Sequence, residues 1–178
     1  MKATGPDGKL LDLEECYIST PFKQTPLKMK ILPDIGDQKN ANYGSEPVIG
    51  RSSPITTYSH SEVRTISWTC HFMATEESEL YDNMENLRML EACIYPQTEG
   101  QKQTTYRPPP ICKIRCGRLL GDEDLCVIMK SYNIKFPTDM VWDDRTYMPY
   151  KFDLDLSFEV VYDSADLPGS ERIFKSGR

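Results

Sequence analysis

YKFDLDLSFEVVY, residues 150–162, decides the fold. Tyr150, Phe152, Leu154, Leu156, Phe158, Val160 and Tyr162 share one parity. Lys151, Asp153, Asp155, Ser157, Glu159 and Val161 share the other. A period of two over thirteen residues predicts a β-strand with one buried face. Wound as a helix, the same rings and aliphatics would scatter around the whole cylinder. At about 3.3 Å per residue the strand extends roughly 40 Å. A compact chain of this length has a radius of gyration of about 16 Å, so the strand crosses the whole body or projects beyond it. Its second face is acidic.

Working outward, residues 62–73 repeat the pattern, with Ile66, Trp68, Cys70 and Phe72 against Thr65, Ser67, Thr69 and His71. Thr75 then reads as a helix N-cap, with Glu76, Glu77 and Glu79 in the first turn, where the helix dipole favours acid. Leu80, Met84, Leu87, Leu90 and Ile94 follow at helical spacing, so a helix over 75–95 is expected, ending before Pro96. Pro108, Pro109 and Pro110 lead stiffly into a strand that stops at Gly117. Residues 121–124 read as a turn. Residues 125–136 read as a strand with Ile128, Tyr132, Ile134 and Phe136 on one parity and an irregularity near Lys130. A loop over 137–147 holds Trp142, Asp143 and Asp144. Toward the N-terminus, 27–33 is a first strand, and residues 34–59 form a long loop with a small strand near 47–49. Residues 1–26 are expected to be an arm with a short helix around 10–16, and 164–178 a short basic tail. Between them, 27–163 makes one β domain. Runs of strands with one interposed helix indicate α+β with an antiparallel sheet.

The composition narrows the function. With 178 residues and 39% apolar content, the core is modest, with long loops or a fold completed by neighbours. A net charge of −6 and a pI near 5.0 argue against gripping nucleic acid by its phosphates, though not against DNA passing by. No stretch has the length of a membrane span, and the first residues lack a signal peptide's apolar run, so synthesis in a reducing cytoplasm is expected. The six cysteines read as free buried thiols. Cys112 and Cys116 lack a second pair at zinc-site distance, and a disulfide framework is not expected. His60 and His71 sit in no metal or catalytic motif. Asp122-Glu123-Asp124 and Asp143-Asp144 lack the register of a calcium loop. Asp153 and Asp155, two apart on one strand face, are the one acid/base candidate, and no third residue supports catalysis there. No catalytic residue, metal or cofactor is expected.

Taken together, YSHSEVRTISWTCHFMA (58–74), NLRMLEACIYP (86–96), RPPPICKIRCG (107–117), LCVIMKSYNIKF (125–136) and MPYKFDLDLSFEVVY (148–162) resemble, in order and local pattern, the tube proteins of contractile injection systems and contractile phage tails. These include the tube-initiator type that joins tail tube to baseplate. The resemblance covers roughly residues 27–163. It implies a rolled antiparallel β-barrel or sandwich with one flanking helix. It implies a homo-oligomer, a hexameric ring with an open bore, stacked head to tail. The partners would be adjacent tail-tube and baseplate-hub proteins, in a virion assembled in the host cytoplasm, with DNA passing through unbound. Asp153, Asp155 and Glu159 would line the bore. Tyr43, Ile49, Trp142 and Tyr147 would contact other subunits or rings, with 34–59 ordering against an adjacent ring. The arm, tail and long loop lean toward the junction protein. Two readings from other classes stand beside this one. One is a soluble β-rich module binding peptide or carbohydrate through Trp142 and Tyr147. The other is an enzyme built on the paired carboxylates.

Overall fold

A computed structural model describes residues 13–50, 52–98, 106–121 and 123–162. In chain order the elements are β1 (Cys16–Ser19), β2 (Leu27–Lys28), β3 (Asp34–Gln38), β4 (Ala41–Glu46), β5 (Ile55–Ser61), β6 (Thr65–Met73), α1 (Glu77–Ala92), β7 (Gln97–Thr98), β8 (Tyr106–Arg107), β9 (Cys112–Cys116), β10 (Leu125–Lys135) and β11 (Lys151–Val160). Seven strands form one antiparallel sheet in the order β2-β1-β9-β10-β11-β6-β3, and β4-β5 and β7-β8 are separate hairpins. The class is α+β, as expected.

β11 alternates strictly between half-buried and buried residues, with Phe152, Leu154, Leu156, Phe158 and Val160 inward. β6 does the same with Ile66, Trp68, Cys70 and Phe72. The pair is in unbroken register from Lys151↔Met73 to Glu159↔Thr65, so both apolar rows fall on one side of the sheet. Each large side chain buried there contributes on the order of 1.5–3 kcal/mol.

The sheet is curled, and chain length requires it. β2 and β3 lie at its two ends, yet Lys28 and Asp34 are separated only by residues 29–33. Fully extended, that connection reaches about 20 Å. A flat sheet would place the two end strands six spacings apart, about 29 Å. The apolar face lies inside the curl. There Leu87, Leu90 and Cys93 of the helix and its C-cap join Trp68, Phe152, Phe158, Ile18, Ile114 and Val127 in one core.

Several expectations need correction. The arm does not extend through residue 26: Cys16–Ser19 is β1, paired with both β2 and β9, because Cys16 and Ile18 alternate inward over a stretch too short to signal itself. Residues 10–12 of the expected short helix lie outside the described residues, as do residues 163–178. The expected strand over 27–33 shrinks to Leu27–Lys28, and residues 34–38, read as loop, form the edge strand β3. In β10 the register shifts between Met129 and Ser131. The bulge was expected at Lys130, but its consequence was not. Ahead of it Val127 and Met129 point inward and Ile128 sits opposite Glu159 on the other face, whereas after it Tyr132 and Ile134 face Leu156 and Leu154. One extra residue inverts the parity.

Helix α1 begins at Glu77, with Glu76 rather than Thr75 as its N-cap residue. Thr75 instead donates its backbone N–H and hydroxyl to Glu79 Oε2 at 2.7 and 2.9 Å. Glu79 Oε1 also takes Lys30 Nζ at 2.5 Å, which ties the helix start to the connection between β2 and β3. Burial alone would raise the Glu79 carboxyl. The Lys30 and Thr75 bonds outweigh it and bring the pKa from 4.5 to about 2. A depressed folded pKa means the stabilisation is complete above pH 4.5 and fades as pH falls toward about 2. Glu79→Gln is therefore expected to lower the thermal midpoint at neutral pH. Melting curves across the acid range should show the gap from wild type closing over that window. A gap that is constant with pH would contradict the assignment.

Candidate assembly surfaces

The face of the sheet turned away from the core carries the three carboxylates expected at a bore. Asp153, Asp155 and Glu159 lie opposite His71, Thr69 and Thr65 on β6, and opposite Lys135, Asn133 and Ile128 on β10. None is bare. His71 lies between Asp153 Oδ1, 2.7 Å from Nδ1, and Asp34 Oδ2, 3.3 Å from Nε2. Asp155 accepts from Thr69 Oγ1 at 2.8 Å and Asn133 Nδ2 at 3.4 Å, and pairs with Lys135 Nζ at 2.6 Å. Glu159 pairs with Lys130 Nζ at 2.7 Å. Lys135, then Thr69, hold the Asp155 carboxyl below its ordinary range. Two of the three carboxylates are paired with lysines and the third is hydrogen-bonded to His71, so this face is not the bare acidic strip that β11 suggests when read alone. The cations come from β10, which no reading of β11 could supply. Asp153 and Asp155 each have their own partners, and Asp155 is held ionised, the state opposite to a general acid's.

Between β3 and β6 the chain departs as the hairpin β4-β5. Every described residue from 41 to 61 is exposed. Tyr43 and Tyr58, 59% and 58% exposed, meet edge to face at 5.7 Å, and Ile49 near the tip is wholly exposed. A two-stranded hairpin in water is marginal on its own. Among the described residues, this one is anchored only at its root. There the Glu62 N–H donates to the Asn40 carbonyl at 2.8 Å, and Asn40 Nδ2 donates to Glu62 Oε2 at 3.0 Å. Arg64 grips Asp37 with Nε at 2.8 Å from Oδ1 and Nη2 at 2.5 Å from Oδ2. The Val160 N–H donates to the Arg64 carbonyl at 3.0 Å, linking the root to the end of β11. The expected loop is thus mostly strand. Its alternation is invisible in sequence because neither face is buried.

Trp142 and Tyr147 lie at the opposite end of the sheet. β10 ends there, β11 begins there, and the hairpin root sits by Thr65 and Val160 at the far end. The loop is built on Asp143, whose Oδ2 accepts both the N–H of Thr146, at 2.8 Å, and its hydroxyl. The Tyr147 N–H donates to the Asp143 carbonyl and the Asp143 N–H to that of Met148, both at 2.9 Å. This tight turn sets Tyr147 at φ 54°, a left-handed conformation that favours glycine, with its ring 80% exposed. A bulky residue kept there is a reason to look for function. Trp142 is different. Its indole N–H donates to the Pro137 carbonyl at 3.3 Å, its ring packs near Phe136, and it is half-buried. It holds the loop together.

No model of a known protein family matches the chain, and no curated protein matches it. No helix among the described residues is long and apolar enough to cross a membrane. Sequence reading missed the root clamp of Asp37 and Arg64 and the cations on the outer face. These partners are 20 to 29 residues apart, and no local spacing pairs them.

Proposed function

We propose that this chain is a non-enzymatic structural protein of a contractile phage tail. It forms a homo-oligomeric ring at the tail tube or its junction with the baseplate hub, with DNA passing through the bore unbound. The observation that carries this reading is the exposed hairpin. A folded monomer gains nothing from a long hairpin whose described residues bury no side chain yet present Tyr43, Tyr58 and Ile49 to water, whereas a neighbouring copy covers it. Hairpin and Tyr147 turn sit at opposite ends of the sheet. Unlike surfaces at opposite ends suit a head-to-tail contact, which stacks rings into a tube. The outer face suits a bore, because paired charges offer DNA neither a phosphate-gripping patch nor a wall of uncompensated acid.

The reading as a peptide- or carbohydrate-binding module is weaker, since Trp142 spends its N–H and one face inside its own loop. Electron microscopy with sedimentation velocity tests the proposal. Rings or short tubes are expected as concentration rises. A monomer at every concentration and salt would overturn it.

A further inference from the structure

Cys16 on β1 and Cys116 on β9 are direct cross-strand partners, with Sγ atoms 3.3 Å apart. The ladder around them shows which kind of pair they are. The Gly117 N–H donates to the Glu15 carbonyl at 2.7 Å, and the Cys16 carbonyl is turned the other way, accepting from Met29 on the β2 side. The two cysteines therefore form a non-hydrogen-bonded pair, the narrow site where facing Cα atoms are about 4.5 Å apart and side chains lie closest. That separation lies within the range a disulfide spans. Both thiols are buried, at 4% and 8% exposure. Among the described residues, only the two-residue β2 stands between β1 and the sheet's edge, so local opening admits a reagent.

The other thiols contrast with this pair. Cys70 lies close enough to influence Cys16, and burial raises both thiols, but Cys70's cross-strand partner on β11 is Leu154 and not a cysteine. Cys93 and Cys112 also interact, but Cys93 sits at the helix C-cap, donating to the Met89 carbonyl at 3.3 Å. No strand register sets their Cβ atoms face to face. Cys126 is only half-buried.

We propose that Cys16 and Cys116 are a redox pair that closes into a cross-strand disulfide, locking β1 onto β9. With a small-molecule disulfide such as oxidised glutathione, one protein thiolate attacks and releases a first glutathione thiol. The second protein thiol then displaces the other. Two protein S–H groups are oxidised, one S–S bond is reduced, and two glutathione thiols leave. The lock closes a loop of 100 residues. It fits a chain made in a reducing compartment and later moved to an oxidising one, and it holds whether or not the chain forms rings.

The test uses the full chain in its native state, treated with oxidised glutathione, quenched, unfolded, alkylated and mapped by mass spectrometry. A Cys16–Cys116 linked peptide is expected, with a thermal midpoint raised by about 10 °C. Reductant should abolish the rise, and Cys16→Ser should prevent it. Cys126 is the internal control. If it carries glutathione while Cys16 and Cys116 are both recovered as alkylated thiols, or if Cys16 is found joined to Cys70, the proposal fails. Should Cys16→Ser not fold, the wild-type peptide map still decides.

Discussion

Replacing Trp68 by alanine is expected to cost about 3–5 kcal/mol, a large share of a total stability that is usually about 5–15 kcal/mol, and enough to leave the chain marginal at the lower end of that range. Trp68 is wholly buried, lying opposite Leu156 on β11 and Ile35 on β3. Two sheet neighbours and the interior of the curl therefore lose contact together. Trp68→Phe should behave differently. The indole N–H has no partner among the described residues beyond the weakly accepting Cys70 thiol. A buried unmet donor itself costs about 1–3 kcal/mol. Phenylalanine leaves a cavity but removes that penalty, so a net change within about 1 kcal/mol is expected. Urea unfolding of the three proteins measures both. If alanine costs less than phenylalanine, Trp68 is not at the centre of this core.

The second large effect is on assembly and leaves the fold alone. Residues 41–61 can be replaced by an Asn-Gly turn, because Asn40 and Glu62 already face each other through the Glu62 N–H, which is the geometry a two-residue hairpin closes. The truncated chain should keep its unfolding midpoint to within about 0.5 kcal/mol, as expected where no buried contact is removed. It should also lose stacking entirely. Sedimentation of both proteins at matched concentration reads this directly. Tubes from the truncated chain would end the role given to the hairpin. A truncated chain that unfolds would show that residues 41–61 support the core after all. Tyr43→Ser with Ile49→Ser should weaken stacking in the same direction, and less.

Much of the frame was legible before any coordinates. β11 and β6 announce themselves because five and four large inward residues repeat at a period of two, and α1 because Leu80, Leu87 and Leu90 recur on one helical face. What failed to announce itself did so for physical reasons. β1 is four residues long and β3 carries Ile35 as its one large apolar side chain, so neither has a period to detect. β4 and β5 bury nothing, and burial is what writes alternation into a strand. The bulge at Lys130 shows in sequence as an irregularity, but which half of β10 faces inward depends on its pairing with β11.

The candidate site divides in the same way. That Asp153, Asp155 and Glu159 share a face follows from their spacing alone. That Lys130, Lys135 and His71 meet them does not, since those partners arrive on other strands. The amino-acid order by itself determined which segments are strands with a wet and a dry side and where the one long helix lies, because such preferences are written within a few neighbouring residues. Only the tertiary structure decided that the sheet curls until its ends are five residues apart, that a bare hairpin leaves one end of it, and that Cys16 meets Cys116. Each of those depends on segments far apart in the chain being brought together, and local periodicity carries no record of distance in space.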